Sequence, residues 1–311
     1  MQPPLPDDVA ERLDALAGLA DACRAAYREM SAQTHWRPAP GSPAAHVQRG
    51  IIDPADNSDG ILSGYDLVSE VVATYLEIAA GQFGGLAALL RGGEAMFAPL
   101  PVIRTIIEHA AHTIWVLGGD PTEHPNNMLA RAYLEEFASC EAAKLAAELL
   151  GSESSAHHKE RWKTIRDRAI AAFPDATRAD LDKQGGRTLS GQKLPGPVGA
   201  VEQMFDLVYR KAGGTVTSNQ AAGIYAYFCV GTHPSMSRAR QLRVPVDHGD
   251  HVGTVLMMDV ETLERILAVA VVAFYSALGY TLSFLGADEA PYAALGDTIA
   301  DVLPAVFEKG Y

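Results

Sequence analysis

Apolar positions recur every three or four residues along most of the chain, the period of an α-helix with one face turned inward. Leu13, Leu16, Ala17 and Ala20, preceded by the acids Asp7 and Asp8, predict a helix from residue 7 to about residue 30. The same period predicts helices over 66–90, 101–117, 126–150, 156–173, 198–212, 218–231, 259–286 and 289–308. Pro99 and Pro101 lead into the third of these nine helices and Gly118-Gly119 ends it, while Asn126 reads as the N-cap of the fourth. Within that fourth helix, Arg131 and Glu135 read as a surface pair one turn apart. Residues 32–64 and 174–197 lose the period among prolines and glycines and predict irregular connections, the second a flap bearing Arg187 and Lys193. Near 243–256 two short β-like runs flank a turn. The expected fold is therefore all-α, a multi-helix bundle with long irregular loops and one small β-hairpin. No internal repeat and no linker-like composition divides it. A single helical domain is expected over 1–311, with an N-terminal helix and irregular arm in 1–64, a motif-bearing bundle in 65–240, and the hairpin and C-terminal helices in 241–311.

Composition narrows the class. With 48% hydrophobic and 20% charged residues over 311 positions, the chain has the make-up of a folded soluble domain with ample core. A formal charge of −13 works against a broad phosphate-binding surface, so nucleic acid is an unlikely partner on this ground. Cys23, Cys140 and Cys229 are odd in number, far apart and set among apolar residues, which predicts reduced thiols in a cytoplasmic protein. The first residues show neither a basic nor an apolar leader region, which points the same way. The most apolar stretch, 266–285, is diluted by Tyr275, Ser276, Gly279, Tyr280, Thr281 and Ser283. It predicts a buried central or dimer-interface helix rather than a membrane span. Because it is apolar around most of its circumference, a homodimer through the C-terminal helices is expected.

The chemistry concentrates on the helix after Pro101. Arg104, Glu108 and His112 follow at four-residue steps and, with Trp115, fall within roughly 80° of arc, opposite Ile103, Ile106, Ile107, Ala110 and Ile114. The row is either a polar site or the solvated face of an ordinary amphipathic helix. His233 ends a later helix ahead of Pro234, a place that raises an imidazole's proton affinity, and Tyr225, Ser235 and Ser237 lie near it in sequence. A capping histidine is the plainer alternative.

No cofactor is identified from motifs. Glu108 and His112 have metal-ligand spacing but no matching second pair, and His248, Asp250 and His251 form a compact turn; a divalent ion at either place is the one cofactor alternative. The acidic run 53–60 lacks the alternation of a calcium loop. The Gly-x-Ser-x-Gly elbow is missing, and the glycine pairs lack a phosphate loop's strand–turn–helix setting.

The segment Ile103-Arg-Thr-Ile-Ile-Glu-His-Ala-Ala-His-Thr-Ile-Trp115, the Tyr133-Leu-Glu-Glu helix and the later Tyr225-Ala-Tyr-Phe…Thr-His233-Pro together resemble the DUF5677-like bacterial helical proteins of unknown function. The similarity covers residues 65–240. It implies a helical fold in which Arg104, Glu108 and His233 converge on one pocket, and it carries no activity. The Arg104-x4-His109 spacing is also similar to the Arg-x(4–6)-His motif of HEPN ribonucleases, with Thr105 where a polar residue commonly follows the arginine.

The function expected from these readings is an intracellular helical protein with a polar pocket for a small anionic molecule, working as an acid/base enzyme of bacterial specialised metabolism. Glu108, His112 and His233 are the candidate catalytic residues, and Arg104, Trp115, Tyr133, Tyr225 and Ser235 the candidate substrate-binding ones. A HEPN-like, metal-independent ribonuclease and a non-catalytic ligand-binding or assembly protein are the alternatives.

Overall fold

A computed structural model of the chain describes residues 6–57, 60–120, 122–181, 186–233, 235–247 and 249–307. These form helices α1 (Asp7–Thr34), α2 (Pro43–Gly50), α3 (Gly64–Arg91), α4 (Pro99–Leu117), α5 (Pro125–Leu149), α6 (Ser155–Ala172), α7 (Pro197–Ala212), α8 (Ser218–Thr232), α9 (Met236–Gln241), α10 (Val260–Leu285) and α11 (Ala290–Val302). Strands β1 (Thr188–Leu189) and β2 (Gln192–Lys193) form one antiparallel pair. A second joins β3 (Arg243–Asp247) to β4 (Val252–Leu256), in register from Arg243 with Leu256 to Asp247 with Val252. The all-α, multi-helix bundle with a small hairpin at 243–256 is as the periodicity predicts.

The bundle is organised around α4. Its apolar arc, Ile103, Ile106, Ile107, Ala110 and Ile114, is almost wholly buried. Around it pack α3, α10, α7, α8 and α5, while α1 lies on the far side of α3 and also meets α10 and α11. Arg12 of α1 ties three elements together, pairing with Glu264 of α10 and donating through Nη2 to the Val302 carbonyl at 2.8 Å. Both α3 and α10 are long and apolar enough to cross a membrane, and both serve here as packing helices. Helix α10 packs inside the chain against α1, α2, α3, α4, α7 and α11.

Differences from expectation lie where the chain is short of period. Inside the irregular arm, Pro43 opens α2 and the Ser42 hydroxyl caps it by accepting from the Ala45 amide at 3.1 Å. Its eight residues are too few to display a repeat. Asn126 does not cap α5. His124 does so through Nδ1, 3.2 Å from the Asn126 amide, and the Asn126 side chain instead accepts from the Ile52 amide at 2.9 Å. The helix expected over 289–308 stops at Val302, and Pro304 starts a 3₁₀ turn to Val306.

The arm is held by one carboxylate. Asp53 Oδ1 accepts from the Ala55 amide at 2.9 Å, and Oδ2 accepts from the Gly64 amide and the Tyr133 hydroxyl, both at 2.8 Å. Tyr133, a candidate substrate-binding residue, is fully buried, and its hydroxyl serves as this anchor.

Candidate functional site

Helix α4 presents two polar networks in succession. In the first, Arg104 Nε donates to Glu108 Oε1 at 2.7 Å, Nη1 to the Thr232 hydroxyl at 2.8 Å and Nη2 to the Tyr225 hydroxyl at 2.9 Å. Tyr225 in turn donates to Glu108 Oε1. Burial, then the adjoining carboxylate, pushes the Tyr225 phenol well above its ordinary range, so it stays protonated and remains a donor. Sequence reading finds Arg104, Glu108 and Tyr225; Thr232, which stands in the Tyr225…Thr-His233-Pro segment but is given no role there, completes the clamp of α8 on α4.

The second network lies two turns on, under α3 and α5. Glu135, with its side chain 7% exposed, holds His112 Nδ1 at 2.5 Å through Oε1, and its Oε2 accepts from the Tyr75 hydroxyl at 2.7 Å. Burial alone would weaken the imidazole's hold on a proton. The hydrogen bond and charge of Glu135, with the charge of Glu108, outweigh it and raise the His112 pKa above the ordinary 6.5. His109, three residues earlier, moves the other way, because burial dominates over the hydrogen bond between its Nδ1 and the Thr105 carbonyl, 2.8 Å away. That carbonyl can only accept, so Nδ1 carries the proton of the neutral ring. Tyr75 meets both rings edge-on, with centroids 5.4 and 6.1 Å away. Arg131 and Glu135 are therefore no surface pair: both are buried, and each binds elsewhere.

Cavities of about 220–740 Å³ open elsewhere in the molecule, and none of these is lined by Arg104, Glu108 or His112. Arg104, Glu108 and His112 keep 23%, 25% and 17% of their side chains exposed; Arg104 and Glu108 bond to each other and to α8, and His112 bonds through Nδ1 to Glu135. The side chain of His233 is exposed at the end of α8, and the preceding residue, Thr232, makes the contact to Arg104. Ser235 lies beyond it, half-buried at the start of α9, and Pro234 falls outside the described residues. Arg104 and His109 leave α4 about 140° apart, one toward α8 and the other toward α3. Among the described residues no group of three or more His, Cys, Asp or Glu side chains could hold a metal ion; His248 lies outside them, and His251 pairs with Asp250 at 2.6 Å.

Space opens instead at the C-terminal end of α4. A chamber of about 740 Å³ lies between α7, α10, α11 and the 3₁₀ turn, walled by Leu207, Val272, Tyr275, Tyr292, Ile299 and Phe307. Tyr275 and Tyr292 stack with centroids 4.0 Å apart and 10° between planes. Gly279 makes this possible, since a Cβ there would stand 2.6 Å from the Tyr292 ring. Of the six residues that dilute the apolar run of α10, Tyr275, Ser276, Gly279, Tyr280 and Ser283 line the chamber, while Thr281 is buried and bonds to the Ala277 carbonyl.

Beyond Ile114 and Leu207, which belong to both linings, is a polar annex of about 220 Å³ bounded by Trp115, Gly118, Arg131, Gln192, Gln203 and Arg210. Trp115, a candidate substrate-binding residue, thus separates His112, whose ring centroid is 6.4 Å away, from the annex. Arg131 is only 5% exposed. Its Nε donates to the Val116 carbonyl at 3.1 Å and Nη1 to Gln192 Oε1 at 2.9 Å, with Glu123 Oε1 2.5 Å from Nη1. Nη2 is buried without a hydrogen-bond partner. It faces Gly118, where φ is 75° and a Cβ would stand 2.5 Å from it. Compared with protein-family models, curated proteins and solved structures, the chain matches none.

Proposed function

We propose that this chain binds a small molecule with a flat apolar body in the chamber between α7, α10 and α11. The observation that carries the reading is the single face of α10 that lines it, with aromatic rings, hydroxyls and Gly279 along one side of an otherwise apolar helix. A volume of about 740 Å³ suits a drug-sized ligand, and apolar walls with a few hydroxyls are the usual composition of such sites. Stacking against the Tyr275–Tyr292 pair favours a planar ring system.

Calorimetric titration with neutral planar aromatics, indole and naphthol, tests this. The wild-type chain is expected to bind them, and Ser276→Trp, which fills the chamber from α10, is expected to fold and to lose binding. Equal binding by both proteins overturns the assignment.

A second reading, acid–base chemistry, is supported by one observation: the buried Glu135 carboxylate fixes His112 through Nδ1, and Nε2 has no hydrogen-bond partner among the described residues. A carboxylate that orients an imidazole in this way sets up its other nitrogen to exchange a proton. Under this reading His112 is the proton-transfer residue, and Arg104 and Glu108 position α8 beside it.

A further inference from the structure

We infer that the chamber's ligand carries a carboxylate, which the annex reads through Arg131. This deepens the chamber reading and rests on it. The annex adjoins the chamber across the width of Leu207 and Ile114, so a ring seated against Tyr275 and Tyr292 with a short arm would place the end of that arm in the annex.

The chemistry of the annex differs sharply from that of the chamber. Two guanidiniums, Arg131 and Arg210, and two amides, Gln192 and Gln203, line it against the single carboxylate of Asp206, which pairs with Arg210 at 2.7 Å. The exposed Arg210–Asp206 pair is screened by solvent and adds little. Arg131 is different, being nearly fully buried with Nε and Nη1 committed and Nη2 left without an acceptor. A buried donor on a charged group is costly to leave unmade. Nη2 and Glu123 Oε2 both crowd the point where a Gly118 Cβ would stand, so the glycine leaves room for the Arg131–Glu123 pair at the edge of the annex that Gly118 and Arg131 line. A carboxylate oxygen supplies the missing acceptor in charge-assisted form, and the Gln203 amide can donate to its second oxygen. Glu123, beside Nη1, is the internal competitor: its Oε1 also lacks a well-directed hydrogen bond, so the pair is held by charge and the buried Nη2 keeps no acceptor.

The test compares naphthylacetate with naphthylethanol, two probes with the same ring and arm and a different end, by calorimetric titration near neutral pH. The wild-type chain is expected to prefer the carboxylate by about tenfold, the ratio that one charge-assisted hydrogen bond supplies. Arg131→Gln is expected to bring the two affinities together. Because Arg131 is buried and its removal could unfold the chain, Gln203→Glu provides an independent variant: it sets a negative charge in the annex without touching the Arg131–Glu123 pair, and it too is expected to erase the preference while naphthylethanol still binds. Equal wild-type affinities for both probes overturn the carboxylate inference and leave the chamber intact. Loss of both probes in Ser276→Trp with retention of the preference in Gln203→Glu also overturns it, since the arm then ends elsewhere. If neither probe binds the wild-type chain, the chamber reading fails first and the inference with it.

Discussion

The middle of α4 and its C-terminal end hold the same kinds of side chain on different terms. From Arg104 to His112, arginine, glutamate and histidine meet partners that suit them: Glu108, Tyr225 and Thr232 for the guanidinium, Glu135 and Tyr75 around the imidazole. Near the end of the helix, Arg131 of α5 is more deeply buried than Arg104 and yet keeps one nitrogen without a hydrogen-bond partner, in a side chain that lines the annex. A row of charged residues at helical spacing is thus best explained as a network that clamps helices together. A ligand site is better marked by what has been left unsatisfied and by the small residues that keep room around it.

Three substitutions bear on this contrast. The largest effect is expected for Gly118→Ala. The residue sits at φ 75° and ψ 165°, a region almost confined to glycine, and its Cβ would press on Arg131 Nη2 and on Glu123 Oε2. Strain and displacement of a buried ion pair together should cost about 3 kcal/mol in urea unfolding. A loss under about 1 kcal/mol would show that the annex end of α4 is looser than the geometry indicates.

A middle-sized and pH-dependent effect is expected for His112→Gln. The folded-state pKa of His112 is raised, so its contribution is fully present below the unfolded value of 6.5 and is lost as pH climbs through the raised folded value. The stability gap between wild type and variant should be about 2 kcal/mol on the acid side, the scale of a hydrogen bond to a charged group, and should shrink toward alkaline pH. His109 shifts the opposite way, chiefly from burial, and the charge of His112 adds to that shift, so a small part of the difference passes through His109. A gap that widens as pH rises would refute the Glu135 partnership.

The smallest effect belongs to His233→Gln. With its side chain exposed, the residue caps α8 through its backbone amide, which donates to the Cys229 carbonyl at 3.2 Å and survives the substitution. Unfolding free energy should stay within about 0.5 kcal/mol of wild type, and binding to the chamber should not change. A marked loss of either would return His233 to the site.

The helices were legible because long amphipathic segments repeat their pattern several times over, and Gly118, Pro99 and Asp259 mark their ends. The eight residues of α2 and the two-residue strands β1 and β2 repeat nothing, and only the capping of Ser42 betrays the first. At the site, Arg104 and Glu108 were legible from their spacing. Tyr75, Glu135 and Thr232 were not, because each arrives from another helix and is fixed by packing rather than by local pattern. The chamber did leave a trace: Tyr275, Ser276, Gly279, Tyr280 and Ser283 fall on one face of α10, and counted only as dilution of an apolar run they conceal the cavity they build.

The contact between Arg12 and the Val302 carbonyl, 290 residues apart, has a consequence for how the chain is made. Helix α1 can settle on α3 early, but its face toward α10 and α11 stays bare until those helices leave the ribosome. At roughly 5–20 residues per second, that interval leaves the face of α1 around Arg12 uncovered for tens of seconds. The polypeptide therefore spends much of its synthesis as an open bundle with an apolar seam, a natural client for chaperones, and α11 acts as the latch whose arrival closes it.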